Sequence, residues 1–277
     1  MLSLKSPAKI NLFLRILGKR SDGYHEIASL FQAIDLADTL HFRCADRDSL
    51  TCSEPTLSTG EGNLIVKARR LFRLKTGIEQ CFAIDLQKKI PQQAGLGGGS
   101  SNAATTLWAL NALCGHPVNE KQLAEWGSEI GSDVSFFLSL GTSYCTGRGE
   151  ILEEVPALQN QALCVIKPSQ GLSTPAVYRK LNVSELMQRD PKAALASFFS
   201  HSSVCFNDLE VPAFELEPKL AILKKQLEKG GFSTVLMSGS GSSFFCFGQG
   251  NLAELSGCGH QIFNANYINR QSNHWYW

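Results

Sequence analysis

The chain has 277 residues, 43% of them hydrophobic and 18% charged, with a formal net charge of +1. That length suffices for one large domain or two of ordinary size, and the composition is that of a globular protein. Near-neutral charge gives no global basic field for nucleic acid and no acidic excess favouring disorder, and no apolar run is long enough to span a bilayer.

The first twenty residues, MLSLKSPAKINLFLRILGKR, alternate apolar and polar positions instead of forming the continuous apolar block of a signal peptide. Ile10, Leu12, Leu14 and Ile16 alternate with Lys9, Asn11, Phe13 and Arg15, which predicts a strand with Lys9 and Asn11 on the face away from the aliphatic side chains. A turn is expected at Asp22-Gly23, followed by a second extended segment. Residues 63–76 have helical spacing, and FAIDL at 82–86 reads as a strand. After the loop PQQAGLGGGSS, residues 91–101, Ala103, Leu107, Leu110 and Cys114 recur at helical spacing up to Gly115. Asn119 is placed to cap a helix over about 120–130, and GTSYCTGRGEIL reads as strand, turn, strand. The texture changes at EEVPALQNQ, residues 153–161, the expected domain boundary. Beyond it come a strand in ALCVIKP, mostly helix over 174–200, an amphipathic helix over 216–229 and a strand–turn–strand in STVLMSGSGSSFFCF. Mixed strands and helices predict an α/β or α+β protein of two domains, 1–155 and 156–277.

Nine cysteines, Cys44, Cys52, Cys81, Cys114, Cys145, Cys164, Cys205, Cys246 and Cys258, are scattered with no CxxC pair. The odd count and wide spacing predict free thiols, most of them buried, and no zinc site.

The loop at 95–101 lacks the lysine of a Walker A motif, and Ser100 stands where a dinucleotide fingerprint needs its last glycine. It has glycines that let successive N–H groups converge, then a helix start whose dipole favours anions, with two hydroxyls at the mouth. A phosphate cradle fits these features, and so does a flexible strand-to-helix turn with a good cap.

SPAKINLFL, GLGGGSSNAA and MSGSGSSFF, in that order, resemble the three signature motifs of the GHMP kinases. The longer stretches KINLFLRILGKRSDGYHEI, GLGGGSSNAATTLWALN, GSDVSFF, TGRGEIL, FNDLE and SGSGSSFF are similar to one branch of that family. Its members phosphorylate the 2-hydroxyl of 4-diphosphocytidyl-2-C-methyl-D-erythritol in non-mevalonate isoprenoid synthesis. The resemblance implies an N-terminal α/β domain with a ribosomal-protein-like fold, a C-terminal ferredoxin-like domain, and a cleft where ATP and acceptor meet. It places the ATP phosphates over Gly95, Leu96, Gly97, Gly98, Gly99, Ser100 and Ser101, with Mg²⁺ carried by the nucleotide and no protein metal cage. Asp133 matches the residue that accepts the hydroxyl proton, and Lys9 the lysine beside it. Asn11, Tyr24, His25 and Tyr178 match substrate positions, the two tyrosines walling a cytosine and the histidine hydrogen-bonding the base. From the residues alone, Asp133 reads as the N-cap of a helix over 134–138 and Lys9 as a solvated strand lysine. Arg148 in TGRGE reads either as a phosphate contact or as a surface arginine.

Four positions depart from the family pattern: Gln92 and Gln93, Asn102 where an aspartate is usual, and Ser135 where proline is usual. Asn102 keeps hydrogen bonding and loses a negative charge near the expected metal–phosphate region. The alternatives are another kinase of this family, of homoserine or mevalonate type, and a non-catalytic nucleic-acid-binding module. The expected setting is a bacterial cytosol, with little room for a transit peptide before SPAKIN, and the expected state is a monomer or weak homodimer without nucleic-acid or membrane partners.

Overall fold

In a computed structural model, which describes residues 1–200, 204–252 and 259–277, the chain opens with two long antiparallel strands, Leu2–Lys19 (β1) and His25–Ala45 (β2). Their register shifts at three places, one of them between Asn11 and Phe13. A bulge there inverts the alternation of the residues up to the next shift, after Ile16. Lys9 and Asn11 line the central cleft as expected, but beyond the bulge Leu14 joins them there. Phe13, expected on the Lys9 face, packs instead with Ile10 and Leu12 in the core between the sheets.

The first sheet has seven strands. Ser49–Cys52 (β3), Cys81–Gln87 (β4), β2, β1 and Phe206–Asn207 (β8) lie side by side, while Thr142–Gly147 (β5) pairs with β2 and Ile151–Glu154 (β6) with β5. The second sheet is antiparallel and comes wholly from beyond residue 160, in the order Gln261–Asn266 (β11), Ala162–Lys167 (β7), Phe244–Phe247 (β10), Thr234–Met237 (β9).

Helices Leu64–Thr76 (α1), Gly98–Leu113 (α2), Glu120–Ile130 (α3) and Val134–Phe137 (α4) cover one face of the first sheet through Phe72, Leu107, Leu123 and Phe136. Asn63 caps α1, and Asn119 with Gln122 forms a complete capping box on α3. The apolar central helix α2 is buried on nearly every side. Phe13, Val165, Leu236 and Phe245 fill the space between the sheets. Behind the second sheet pack Thr174–Lys180 (α5), Glu210–Leu216 (α7) and Pro218–Lys229 (α8), through Val177, Ala213 and Leu223, with Pro191–Phe199 (α6) at the side of the inter-sheet core.

Two expected helices are broken. The 174–200 stretch splits into α5, a 3-10 turn at Val183–Glu185 and α6, which starts at Pro191. Pro218, in the expected 216–229 helix, lacks an N–H and begins α8 instead, leaving Leu216 to end α7. Eight described cysteines are free, but only Cys145, Cys164 and Cys246 are buried and Cys44 is exposed. Most are thus not core residues; Cys258 lies outside the described residues.

A buried ion pair ties β1 to the later chain. Arg15 Nη1 donates to Asp208 Oδ2 at 2.8 Å, and the same oxygen accepts the Ile16 N–H at 2.8 Å. Both side chains are almost fully buried. Asp208→Ala leaves a buried guanidinium without its counter-charge, so it should lower unfolding free energy by about 3–5 kcal/mol in urea denaturation.

Candidate active site

A cleft of about 1060 Å³ opens between the two layers, at the upper end of what a single small-molecule site occupies. The strand–loop–helix unit from β4 to α2 forms its floor. No side chain caps the start of α2, Gly97 stands at its N-cap, and Gly97–Ser100 all line the cleft. Unclaimed N–H groups and the positive end of a 16-residue helix therefore face the open space.

The glycine positions have separate reasons. Gly97 has φ 69°, and a Cβ there would lie 2.9 Å from Phe137 Cζ and 3.0 Å from Lys9 Cγ. A side chain would press into the lysine that borders the site. At Gly98 a Cβ would meet Ile90 Cγ2 at 3.1 Å and Lys88 Nζ at 3.4 Å, so this position is crowded by protein behind the loop, not by the cleft.

Lys9 is 4% exposed. Its Nζ donates to Asn11 Oδ1 at 2.7 Å, lies 3.4 Å from Asp133 Oδ2, and stands 4.5 Å over the Phe31 ring. Its backbone N–H donates to the Leu96 carbonyl at 3.0 Å. This is not a solvated strand lysine. Asp133 does sit at the N-cap of α4, but with αR backbone and no side-chain cap bond. Its carboxylate is turned to Lys9 and the cleft.

Most of the expected site residues converge here. Lys9, Asn11, Tyr24, His25, Gly95, Leu96, Gly97, Gly98, Gly99, Ser100, Asp133 and Tyr178 all line the cleft. Three behave differently from expectation. Ser101 is fully buried, and its hydroxyl accepts from Ser6 at 2.8 Å while its N–H bonds Gly97 O, so it points away from the cleft. Leu96 is 2% exposed and its side chain belongs to the core, which leaves its backbone for the cleft. Asn11 spends both ends of its amide inside the protein, accepting from Lys9 and donating to Ser29 Oγ at 2.9 Å.

At the other end, the His25 and Tyr178 rings lie 5.2 Å apart at 34°. Burial, with the Lys19 charge adding to it, holds the His25 imidazole below its ordinary value. It is therefore neutral at pH 7, with one donor and one acceptor nitrogen. Burial, reinforced by the Asp133 charge, pushes the Tyr178 phenol well up, so it stays a neutral hydroxyl. Tyr24 is 56% exposed.

Sequence reasoning missed Lys88. Its Nζ lies 2.9 and 3.1 Å from the two oxygens of fully buried Asp38, which also accepts the N–H groups of Lys89 and Ile90 at 2.7 Å each. The pair sits beneath the glycine loop, and only the sheet brings 38 and 88 together. Asn102 is 3% exposed and lines the cleft, and its Oδ1 has no protein partner among the described residues. Ser135 donates to the Ala124 carbonyl at 2.7 Å and ties α4 to α3. Among the described residues, no three His, Cys, Asp or Glu side chains gather as a metal-ligand set.

The second glycine turn, 238–243, lies directly on the first loop. A Cβ on Gly95 would fall 2.0 Å from the Ser238 carbonyl oxygen, and one on Gly241 would fall 2.0 Å from Gly95 N. Ser238 Oγ donates to Gly95 O at 3.0 Å, and the Ser243 N–H to Ala94 O at 3.3 Å.

Comparison with known proteins agrees with a phosphate-handling cleft. Residues 63–141 match the GHMP kinases N terminal domain, the mark of a class of ATP-dependent small-molecule kinases. Over 99% of this chain and 92% of the relative, the sequence is 54% identical to a 4-diphosphocytidyl-2-C-methyl-D-erythritol kinase of Protochlamydia amoebophila. It is 47% identical to a chloroplastic kinase of the same name from Oryza sativa, over 89% of this chain and 64% of the relative. A crystal structure named as 4-(cytidine 5'-diphospho)-2C-methyl-D-erythritol kinase superposes with a TM-score of 0.81 at 34% identity, covering 96% of this chain and 99% of the other. The chain belongs to the 4-diphosphocytidyl-2-C-methyl-D-erythritol kinase family. A homoserine kinase from Cytophaga hutchinsonii, 20% identical, shares the fold at a TM-score of 0.71 over 97% of this chain and 96% of its own.

Gly241 does not line the cleft. Gly241→Ala should nonetheless weaken binding of a non-hydrolysable ATP analogue at least about tenfold by calorimetry, because the added methyl displaces Gly95.

Proposed function

We propose that this protein transfers the γ-phosphoryl group of ATP to the 2-hydroxyl of 4-diphosphocytidyl-2-C-methyl-D-erythritol. The Lys9–Asp133 pair carries the reading: a cation and a carboxylate 3.4 Å apart, between an uncapped glycine-rich helix start and a pair of aromatic rings. The names of the relatives support the choice of acceptor. The change of sheet between β6 and β7 supports two domains, 1–155 and 156–277, with the cleft between them. The 54% identical relative from Protochlamydia amoebophila supports a bacterial origin, and among the described residues no helix is long and apolar enough to cross a membrane.

In this reading the backbone N–H groups of Gly97–Ser100 and the dipole of α2 hold the ATP phosphates. Mg²⁺ bound with ATP would neutralise charge on the phosphoryl oxygens, and the Ser100 hydroxyl and the unpartnered Asn102 Oδ1 are oxygen donors of the kind it or its waters take. The acceptor hydroxyl lies at Asp133. As its oxygen bonds to the γ-phosphorus and the bond to ADP breaks, its proton passes to an Asp133 carboxylate oxygen. Lys9, held by Asn11 and Phe31, places a fixed positive charge beside the attacking and transferred oxygens. The neutral His25 and the Tyr178 ring take the cytosine.

ADP release with Mg·ATP should occur with the cytidyl acceptor and not with homoserine or mevalonate; turnover with either of those instead would overturn the reading. Asp133→Asn should lower kcat by about 100-fold or more, the usual worth of a general base, while an ATP analogue still binds. If turnover survives, the proton acceptor lies elsewhere. Tyr178→Ala should raise KM for the acceptor by roughly tenfold, as loss of a stacked base costs about 1–3 kcal/mol, and leave KM for ATP in place.

The pH dependence follows from His25. Its pKa in the folded protein is depressed below about 6.5, so acceptor affinity should hold level down to that region and fall once acid protonates the ring. His25→Gln should remove that acid limb from the pH profile of acceptor KM.

A further inference from the structure

Beyond β11 the chain leaves the second sheet and runs onto the first domain. Tyr267 bridges Ile34 of β2, the Ile268 N–H donates to Ala33 O at 3.0 Å, and the Arg270 N–H to Leu140 O at 3.0 Å. The backbones pass so close that a Cβ on Gly141 would fall 2.8 Å from Ile268 O. Further on, Trp275 Nε1 donates to Lys5 O at 2.6 Å and Tyr276 is buried in the helical core.

Arg270 is the centre of this docking, and its side chain is fully buried. Nε donates to Ser139 O at 2.7 Å, and Nη2 to Leu138 O and, at 2.8 Å, to Glu120 Oε2. Nη1 donates to His274 O at 3.0 Å. The guanidinium lies 4.9 Å over the Trp108 ring and 5.8 Å from that of Trp275. Every nitrogen is engaged, which is what makes a buried cation tolerable. Trp108 belongs to α2, Glu120 opens α3, and Leu138 and Ser139 are the carbonyl end of α4. One side chain therefore joins three helices.

The third of these matters most. Helix α4 has four residues, too few to hold their own course, and Asp133 stands immediately before them. The Asp133 carboxylate makes no cap bond and meets Lys9 at 3.4 Å, so its place follows that of the helix. Phe136 and Phe137 press the middle of α4 into the core, and Ser135 ties it to Ala124. At its carbonyl end a cation is favourable, and there Arg270 binds two carbonyls in a planar fork.

We infer that Arg270 is a positioning residue for phosphoryl transfer: it pins the carbonyl end of α4 to α2 and α3, and so sets Asp133 against Lys9. This rests on the role of Asp133 proposed above.

The test is a double-mutant cycle on kcat with Mg·ATP and the cytidyl acceptor, each variant's folded sites counted by stoichiometric binding of a non-hydrolysable ATP analogue. Arg270→Gln should lower kcat per site by about ten- to a hundredfold, the scale of a reacting group displaced by about 1 Å, with KM for both substrates in place. Arg270→Lys keeps the charge beside Glu120 and loses the fork, so it should recover part of kcat. In an Asp133→Asn background, Arg270→Gln should cost less than about twofold more, because groups that act as a unit do not add. A purely structural role would reduce the number of folded sites, or lower kcat equally in both backgrounds. Either of those results, or an unchanged kcat, overturns this inference alone. Should Arg270→Gln fail to fold, Arg270→Lys takes its place in the cycle, read the same way. If Asp133→Asn by itself leaves kcat intact, the role of Asp133 falls and the inference with it.

Discussion

The site depends on one contact between two backbones. Gly95 and Gly241 lie so close that neither tolerates a Cβ, and the first loop holds its course because the second is pressed onto it. The second turn is itself anchored. Asn207 donates to the carbonyls of Met237 and Gly239 at 2.8 and 2.7 Å, while its neighbour Asp208 is locked to Arg15 on β1. From β1 the Lys9 N–H returns to Leu96 O, closing a ring of contacts around the cleft. FNDLE thus holds the site together without lining it.

Electrostatics are arranged around that ring with little slack. Lys9 has an acceptor, a counter-charge and an aromatic face, so its ammonium stays in one place in a site that is otherwise open. Asp38, fully buried, is affordable because Lys88 and two backbone N–H groups satisfy it. That set fixes the segment leading into Pro91 and hence the height of the glycine loop. Helix α2, behind the glycine loop, has no acidic residue in its first turn and no side-chain cap, which leaves its positive end facing the cleft.

The local chemistry of the chain was legible from the residues. Helix α3 begins where Asn119 and Gln122 form a capping box, and α1 where Asn63 caps it. The strands alternate, and the glycine loop precedes a helix. Misreadings came where a single local rule met a tertiary demand. Strict alternation failed at the bulge after Asn11, because a register shift belongs to the pairing of two strands and leaves no mark in one of them. Asp133 looked like a cap because caps are the commonest use of an aspartate there; the sheet that brings Lys9 alongside decided otherwise. Ser101 looked like a second hydroxyl at the mouth, but one residue along a helix turns a side chain by about 100°, here into the core beside Ser6.

By itself, the sequence determined the order of most strands and helices, the glycine loop at a helix start, and the family, since those follow from side-chain periodicity, capping and motif order. Lys9 beside Asp133 was expected from the resemblance, not from the residues' spacing. Tertiary structure alone decided that Asp38 meets Lys88 and Arg15 meets Asp208, pairs 50 and 193 positions apart with nothing local to link them. Their pairing is set by sheet register and by burial in a low-dielectric interior, where an unpartnered charge costs too much to keep.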